Sequence, residues 1–222
     1  MAQYDLLKFN SENEFIEHAI TEFKTLSQEA ISKRGKFSVV LSGGNTPKIL
    51  FGALAKAEID WLKIHIYWGD ERYVAHSDPA SNFGMAQKIL LSHIDIPVTN
   101  IHPIPVDLQD PHEAAKKYED LIKNIQFDLV YLGIGPDGHT ASLFPGISLP
   151  TNTKVSALYV HKLGTYRISL MPDCINSTRE IRFLVSGTGK QPILDYITQV
   201  PEPSMRYPCQ LIKACTILAY GV

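Results

Sequence analysis

The chain has 222 residues, 45% of them hydrophobic, which is enough to bury a substantial core as one α/β domain spanning residues 1 to 222. Its 21 basic and 23 acidic side chains leave a net charge of −2, and the lysines and arginines are scattered rather than gathered into a stripe, which argues against nucleic acid as a partner. The three cysteines, Cys174, Cys209 and Cys215, have no Cys-x-x-Cys spacing and read as reduced, packed thiols.

Met1 to Lys8 carries no signal-peptide pattern, and no apolar run approaches bilayer-spanning length, so a cytoplasmic protein without a membrane partner is expected. Ser11 and Glu14 form a capping box, after which Phe15, Ile16, Ala19, Ile20, Phe23, Leu26, Ala30 and Ile31 recur at helical spacing up to Gly35. Phe37 to Leu41 is an apolar run suited to a strand covered on both faces. It leads into Ser42-Gly43-Gly44-Asn45-Thr46-Pro47, where Asn45 or Thr46 suits an N-cap and Pro47 a first helical turn. The same grammar then repeats, with a strand at Ile64 to Trp68, a polar loop at Gly69 to Ser81 and a helix through Met85, Ile89, Leu90 and Leu91. A proline-punctuated connection follows. Glu113 to Ile125 reads as a helix and Phe127 to Leu132 as a strand. Beyond Pro150, strands are expected at Val155 to Val160, Arg167 to Leu170, Ile181 to Val185 and Leu211 to Ala219, with a helix at Gln191 to Ile197. This alternation predicts a single doubly wound α/β domain, its mostly parallel sheet flanked by helices and its ligands at the carboxyl ends of the strands.

Three loops, 42 to 47, 69 to 82 and 133 to 142, should therefore converge. Ser42-Gly43-Gly44-Asn45-Thr46 lacks both the Walker and the dinucleotide patterns, leaving a small-residue turn at a helix N-terminus. Backbone N–H groups there favour a phosphate monoester, although a glycine pair also serves as a purely conformational turn. In Gly69-Asp70-Glu71-Arg72, the Arg72 fork suits phosphate or a developing oxyanion, and Asp70 or Glu71 could orient it. Ser81-Asn82 opens the next helix as a cap, or Asn82 reaches a sugar hydroxyl. Arg167 in a strand pattern needs a ligand or carboxylate to face, and Lys190 at a helix start could complete a dianion's cage.

Of eight histidines, only His139 stands in a charged, glycine-rich turn. Asp137 precedes it by two residues, Gly135 and Gly138 permit an unusual backbone, and Thr140-Ala141-Ser142 leaves space for a ligand. There is no nucleophile elbow and no metal-ligand spacing, so water activated directly by His139 is the economical mechanism, with Asp137 biasing the imidazole and Arg72, or nearby backbone N–H groups, stabilising an oxyanion.

Together, Ser42-Gly43-Gly44-x-Thr46-Pro47, Trp68-Gly69-Asp70-Glu71-Arg72-x-Val74, Ser81-Asn82, Gly133-x-Gly135-Pro136-Asp137-Gly138-His139-Thr140-Ala141-Ser142-Leu143-Phe144-Pro145 and Gly187-x-x-Lys190 resemble the 6-phosphogluconolactonase family, in matching order over essentially the whole chain. The resemblance implies a Rossmann-like, NagB/RpiA-type fold and hydrolysis of 6-phosphoglucono-1,5-lactone in the oxidative pentose phosphate pathway, with no metal or organic cofactor. It further implies His139 as base, and phosphate held by the glycine loop and basic residues. The partner expected is a small phosphosugar lactone, bound by a monomer or weak homo-oligomer.

Three places depart from the pattern. Asn45 replaces a serine, His161 to Tyr166 replaces a Lys-Pro-Pro approach to Arg167, and Ile217 to Val222 replaces the usual ending. Two rival readings remain. Glucosamine-6-phosphate deaminases resemble the chain but place a carboxylate five residues after the histidine, where this chain has Phe144. A non-catalytic phosphosugar sensor would use the same pocket, and such regulators usually carry a DNA-binding module for which one α/β domain leaves no room.

Overall fold

A computed structural model describes residues 4–200 and 203–222 of the chain. Met1 to Gln3, part of the stretch read above for a signal pattern, lie outside the described residues. In chain order the elements are β1 (Tyr4–Phe9), α1 (Glu12–Arg34), β2 (Phe37–Leu41), α2 (Asn45–Leu54), β3 (Ile64–Trp68), β4 (Asp70–Arg72), α3 (Asn82–Ile89) and β5 (Ile101–His102). They continue as α4 (Pro111–Ile122), β6 (Leu129–Leu132), β7 (Val155–Val160), β8 (Thr165–Leu170), α5 (Pro172–Asn176), β9 (Glu180–Ser186), α6 (Gln191–Gln199) and β10 (Cys215–Tyr220).

Seven strands form a parallel sheet in the order β1-β10-β9-β6-β2-β3-β5. From the centre the chain winds outward twice, through β2, β3 and β5 on one side and β6, β9 and β10 on the other. The switch point falls between β2 and β6, where loops leaving neighbouring strands diverge and open a crevice. Every residue of these two central strands is buried, which is why both read as uninterrupted apolar runs. The predicted doubly wound α/β sheet is present. Among the described residues, no helix is long and apolar enough to cross a membrane, and all three cysteines are free and buried.

Several local expectations change. β1 escaped the sequence reading because Tyr4–Phe9 is a half-exposed edge strand with no clean alternation, and its register against β10 decides its structure. The loop expected over Gly69 to Ser81 contains β4, which pairs antiparallel with β8, and β8 pairs with β7 in a separate three-stranded sheet. The last strand begins at Cys215, not Leu211, because Pro208–Leu211 forms a short 3-10 turn.

The capping of α1 is nearly as expected. Ser11 Oγ accepts the Glu14 N–H, but the Glu14 carboxylate reaches past the cap to the Asn10 N–H at 2.9 Å. The helix closes at Gly35, whose φ of 79° carries its N–H back to the Ile31 carbonyl.

Candidate active site

A cavity of about 450 Å³ opens at the switch point. Loops following β2, β3, β6 and β9 line it, together with a side chain from β8. Ser42, Gly43, Gly44, Asn45, Thr46, Asp70, Arg72, Asn82, His139, Arg167 and Lys190, all singled out from sequence, face it. Asp137 stands directly behind His139.

The glycine turn differs in detail from expectation. Neither Asn45 nor Thr46 is the N-cap of α2. Gly44 is, with φ 115°, and no side chain caps the helix. Thr46 Oγ1 instead pairs with Ser186 Oγ at 2.7 Å, and Ser42 Oγ donates to the Tyr131 carbonyl at 2.5 Å. The first-turn N–H groups of α2, those of Asn45 and Thr46, are thereby left without a side-chain cap on residues that line the cavity, where the helix dipole favours an anion. Gly43 is there for a different reason: a Cβ on it would lie 1.9 Å from Asn82 Oδ1. Asn82, in turn, donates to the Asp70 carbonyl at 2.9 Å and to Asp70 Oδ1 at 3.3 Å. Its Nδ2 therefore braces the two ends of the 69–82 segment, and the residue lines the cavity beside the Gly43 turn.

Of the two carboxylates read as orienting Arg72, Glu71 accepts the Arg72 backbone N–H at 2.8 Å, and both also tie loops together. Asp70 is buried and accepts from Ser142 Oγ at 2.7 Å, tying the loop after β3 to the loop after β6. Glu71 is also buried. It accepts the N–H groups of Asn82 and Phe83, each at 2.7 Å, and Ser81 Oγ at 3.0 Å, so it holds the start of α3, which Ser81 itself caps through the Gly84 N–H. Burial pushes the Glu71 carboxyl upward, opposed by these backbone N–H groups.

The Arg72 side chain donates to the Ala80 carbonyl, and its Nε is buried with no hydrogen-bond partner among the described residues. Arg167 Nε is in the same condition. The antiparallel ladder makes these two arginines register neighbours, Arg72 opposite Arg167. Burial depresses Arg167, and the Arg72 charge adds to that. Two adjacent guanidinium groups with unmet donors repel each other unless an anion lies between them. Lys190, at the junction of the Thr188–Lys190 turn with α6, is also depressed by burial.

His139 sits on a turn beyond the end of β6. The Gly135 N–H donates to the His139 carbonyl at 2.8 Å, and the Gly138 N–H to the Gly135 carbonyl at 2.9 Å. Gly138 has φ 76° and packs on Tyr207. The following residues make a second tight turn, with Ala141 at φ 46° and the Leu143 N–H on the Thr140 carbonyl. His139 Nδ1 bonds Asp137 Oδ1, which leaves Nε2 as the ring nitrogen with no hydrogen-bond partner among the described residues. Phe144 stacks on the imidazole, with centroids 4.3 Å apart and planes at 29°.

Burial lowers His139 below its ordinary value, while Asp137 pulls the other way. Asp137 would be raised by burial, but hydrogen bonds from Lys162 and His139 outweigh this and hold its carboxyl well below the usual carboxylate range. An ionised aspartate on Nδ1 and a neutral ring with its lone pair on Nε2 make a proton acceptor near neutral pH.

Sequence reasoning missed Lys162, Ser142 as the Asp70 donor, and Glu71 as the α3 clamp. Ser142 and Glu71 lay inside recognised segments, and their roles depend on contacts between loops. Lys162 lay in the atypical 161–166 segment, and only hairpin geometry brings it in. Among the described residues, no group of three or more His, Cys, Asp or Glu is placed to hold a metal ion.

An uncapped helix N-terminus, paired arginines and a carboxylate-oriented histidine at a switch point give an α/β protein a cavity whose chemistry suits a small anion. A family model described as glucosamine-6-phosphate isomerases/6-phosphogluconolactonase matches residues 10–218, and the chain belongs to that family. It is 40% identical over 207 residues to the 6-phosphogluconolactonase of Synechocystis sp., covering 89% of this chain and 86% of that protein. It is 42% identical over 185 residues to the Haemophilus influenzae 6-phosphogluconolactonase, covering 79% of each. The crystal structure of 6-phosphogluconolactonase from Thermotoga maritima matches with a TM-score of 0.87 at 28% identity, over 99% of this chain and 100% of that one.

Proposed function

We propose that this protein hydrolyses 6-phosphoglucono-1,5-lactone to 6-phosphogluconate, with His139 as the general base. The observation that carries the reading is the Asp137–His139 pair, whose histidine lines the same cavity as Arg72, Arg167, Lys190 and the uncapped start of α2. The 6-phosphate lies on the N–H groups around Gly43 to Asn45, with Arg167 and Lys190 supplying positive charge. His139 Nε2 takes a proton from water as its oxygen attacks the lactone carbonyl carbon. Arg72 stabilises the tetrahedral oxyanion, a contribution usually larger than the proton transfer. The intermediate collapses, the C1–ring-oxygen bond breaks, and the imidazolium returns its proton to the departing oxygen. The new carboxylic acid ionises to solvent.

Phe144 favours this reading over deamination. The position that would carry a proton-shuttling acid holds a ring stacked on the base. Freshly made lactone assayed against a no-enzyme blank tests the proposal, because the substrate also opens spontaneously. His139→Ala should lower kcat by about 10²- to 10⁴-fold while product binding persists. An unchanged kcat removes His139 from the reaction, and robust ammonia release from glucosamine 6-phosphate would favour the deaminase instead.

A further inference from the structure

The hairpin between β7 and β8 carries a cation onto the histidine turn. His161–Leu163 forms a 3-10 turn and Gly164 takes φ 62°, returning its N–H to the His161 carbonyl, so the tip is short and directed. From it, Lys162 Nζ donates to Asp137 Oδ2, whereas Asp137 Oδ1 accepts from His139. The same ammonium lies 4.4 Å from the Phe144 ring centroid, on a ring that also stacks against the imidazole. Lys162 thus touches both groups that hold His139, the carboxylate behind it and the aromatic ring beside it.

We propose that Lys162 is a positioning residue, which clamps Asp137 and Phe144 so that His139 presents Nε2 to the cavity. The inference rests on the reading of His139 as base. Two separate strand systems meet in this clamp, since the turn follows β6 of the large sheet and the hairpin belongs to the small one. With each Asp137 oxygen given its own partner, the carboxylate cannot rotate without losing a charge-assisted bond. Lys162 is 52% exposed, so its ion pair adds little to folding stability, and its removal should alter the dyad rather than the fold.

The charges facing this group are Asp137, Asp70, Lys162 and Lys190, with the Arg167 guanidinium 5.9 Å from the Phe144 centroid. Lys162 opposes protonation of His139 and Asp137 favours it. Removing the lysine leaves the aspartate's attraction less opposed, so His139 should hold its proton to higher pH.

The test follows His139 by imidazole NMR and kcat and KM across pH, on the full chain carrying Lys162→Met or Lys162→Arg. The methionine variant should move the His139 midpoint and the acid limb of kcat to higher pH. Its plateau kcat should fall about tenfold, short of what loss of a general base costs, with KM within about twofold of the parent. Lys162→Arg should restore both. A His139 midpoint that does not move in Lys162→Met overturns the proposal, as does an unchanged plateau kcat. Full activity in His139→Ala would instead overturn the base reading, and the NMR midpoint, which needs no turnover, separates the two failures.

Discussion

Gly135→Ala should impair turnover while leaving the fold in place. A Cβ at this position would stand 2.0 Å from His139 Nδ1, 2.1 Å from its Cε1 and 2.6 Å from Asp137 Oδ1. Ordinary contact begins near 3.4 Å, so the ring must retreat by 3.4 − 2.0 = 1.4 Å, and the carboxylate by 3.4 − 2.6 = 0.8 Å. Gly135 is not among the residues in the left-handed region, so alanine adds no backbone strain, and its N–H can still donate to the His139 carbonyl. The cost is confined to two side-chain ends and the partly solvated hydrogen bond between them, worth about 1–2 kcal/mol. For a chain of this size that lowers Tm by roughly 2–8 °C. Misplacing a reacting group by about 1 Å can cost on the order of 10²-fold, which is the expected loss in kcat. Thermal melts and lactone hydrolysis measured above the spontaneous rate check both halves. A folded variant with parental kcat would refute the dyad as the reacting centre, and a Tm loss beyond roughly 15 °C would show that the strain reaches the backbone.

The remaining predictions concern stability. His65 on β3 and His102 on the edge strand β5 share a 3.1 Å hydrogen bond, and burial lowers both, His102 to about 4. Between that value and the unfolded value near 6.5 the unfolded chain binds more protons, so stability falls as pH drops through this window. Chemical denaturation should show a loss of about 1 kcal/mol between pH 7.5 and 5, discounted for partial exposure, and His102→Asn should flatten that slope. An equal slope in the variant rules the pair out. Glu71→Gln places an amide N–H either against the Phe83 N–H or against the Asn82 and Arg72 N–H groups, and should cost about 1–3 kcal/mol. KM for the lactone should rise as Asn82 and Arg72 shift, and an unchanged KM would separate Glu71 from the site.

Much of the site was legible because its parts are local. Gly43, Gly44, Asp137 and His139 lie in two short turns directly after apolar strands, and in a doubly wound sheet the ends of neighbouring strands must meet. What escaped was pairing between distant segments. The run 69–72 reads in sequence as part of a polar loop, yet Asp70–Arg72 pairs with Thr165–Leu170, with Asp70 and Glu71 buried and Arg72 opposite Arg167. The two arginines proposed above for the oxyanion and the phosphate are therefore cross-strand neighbours.

By itself the sequence determined the parallel sheet, the glycine turns and a histidine with an aspartate two residues before it, since periodicity, turn chemistry and short spacing act within a few residues. Tertiary structure alone decided that Glu71 holds a helix start, that Ser142 secures Asp70, and that Lys162 reaches Asp137 across a hairpin. Those contacts join groups 11, 72 and 25 residues apart, and no local preference encodes which distant donor a buried carboxylate will find.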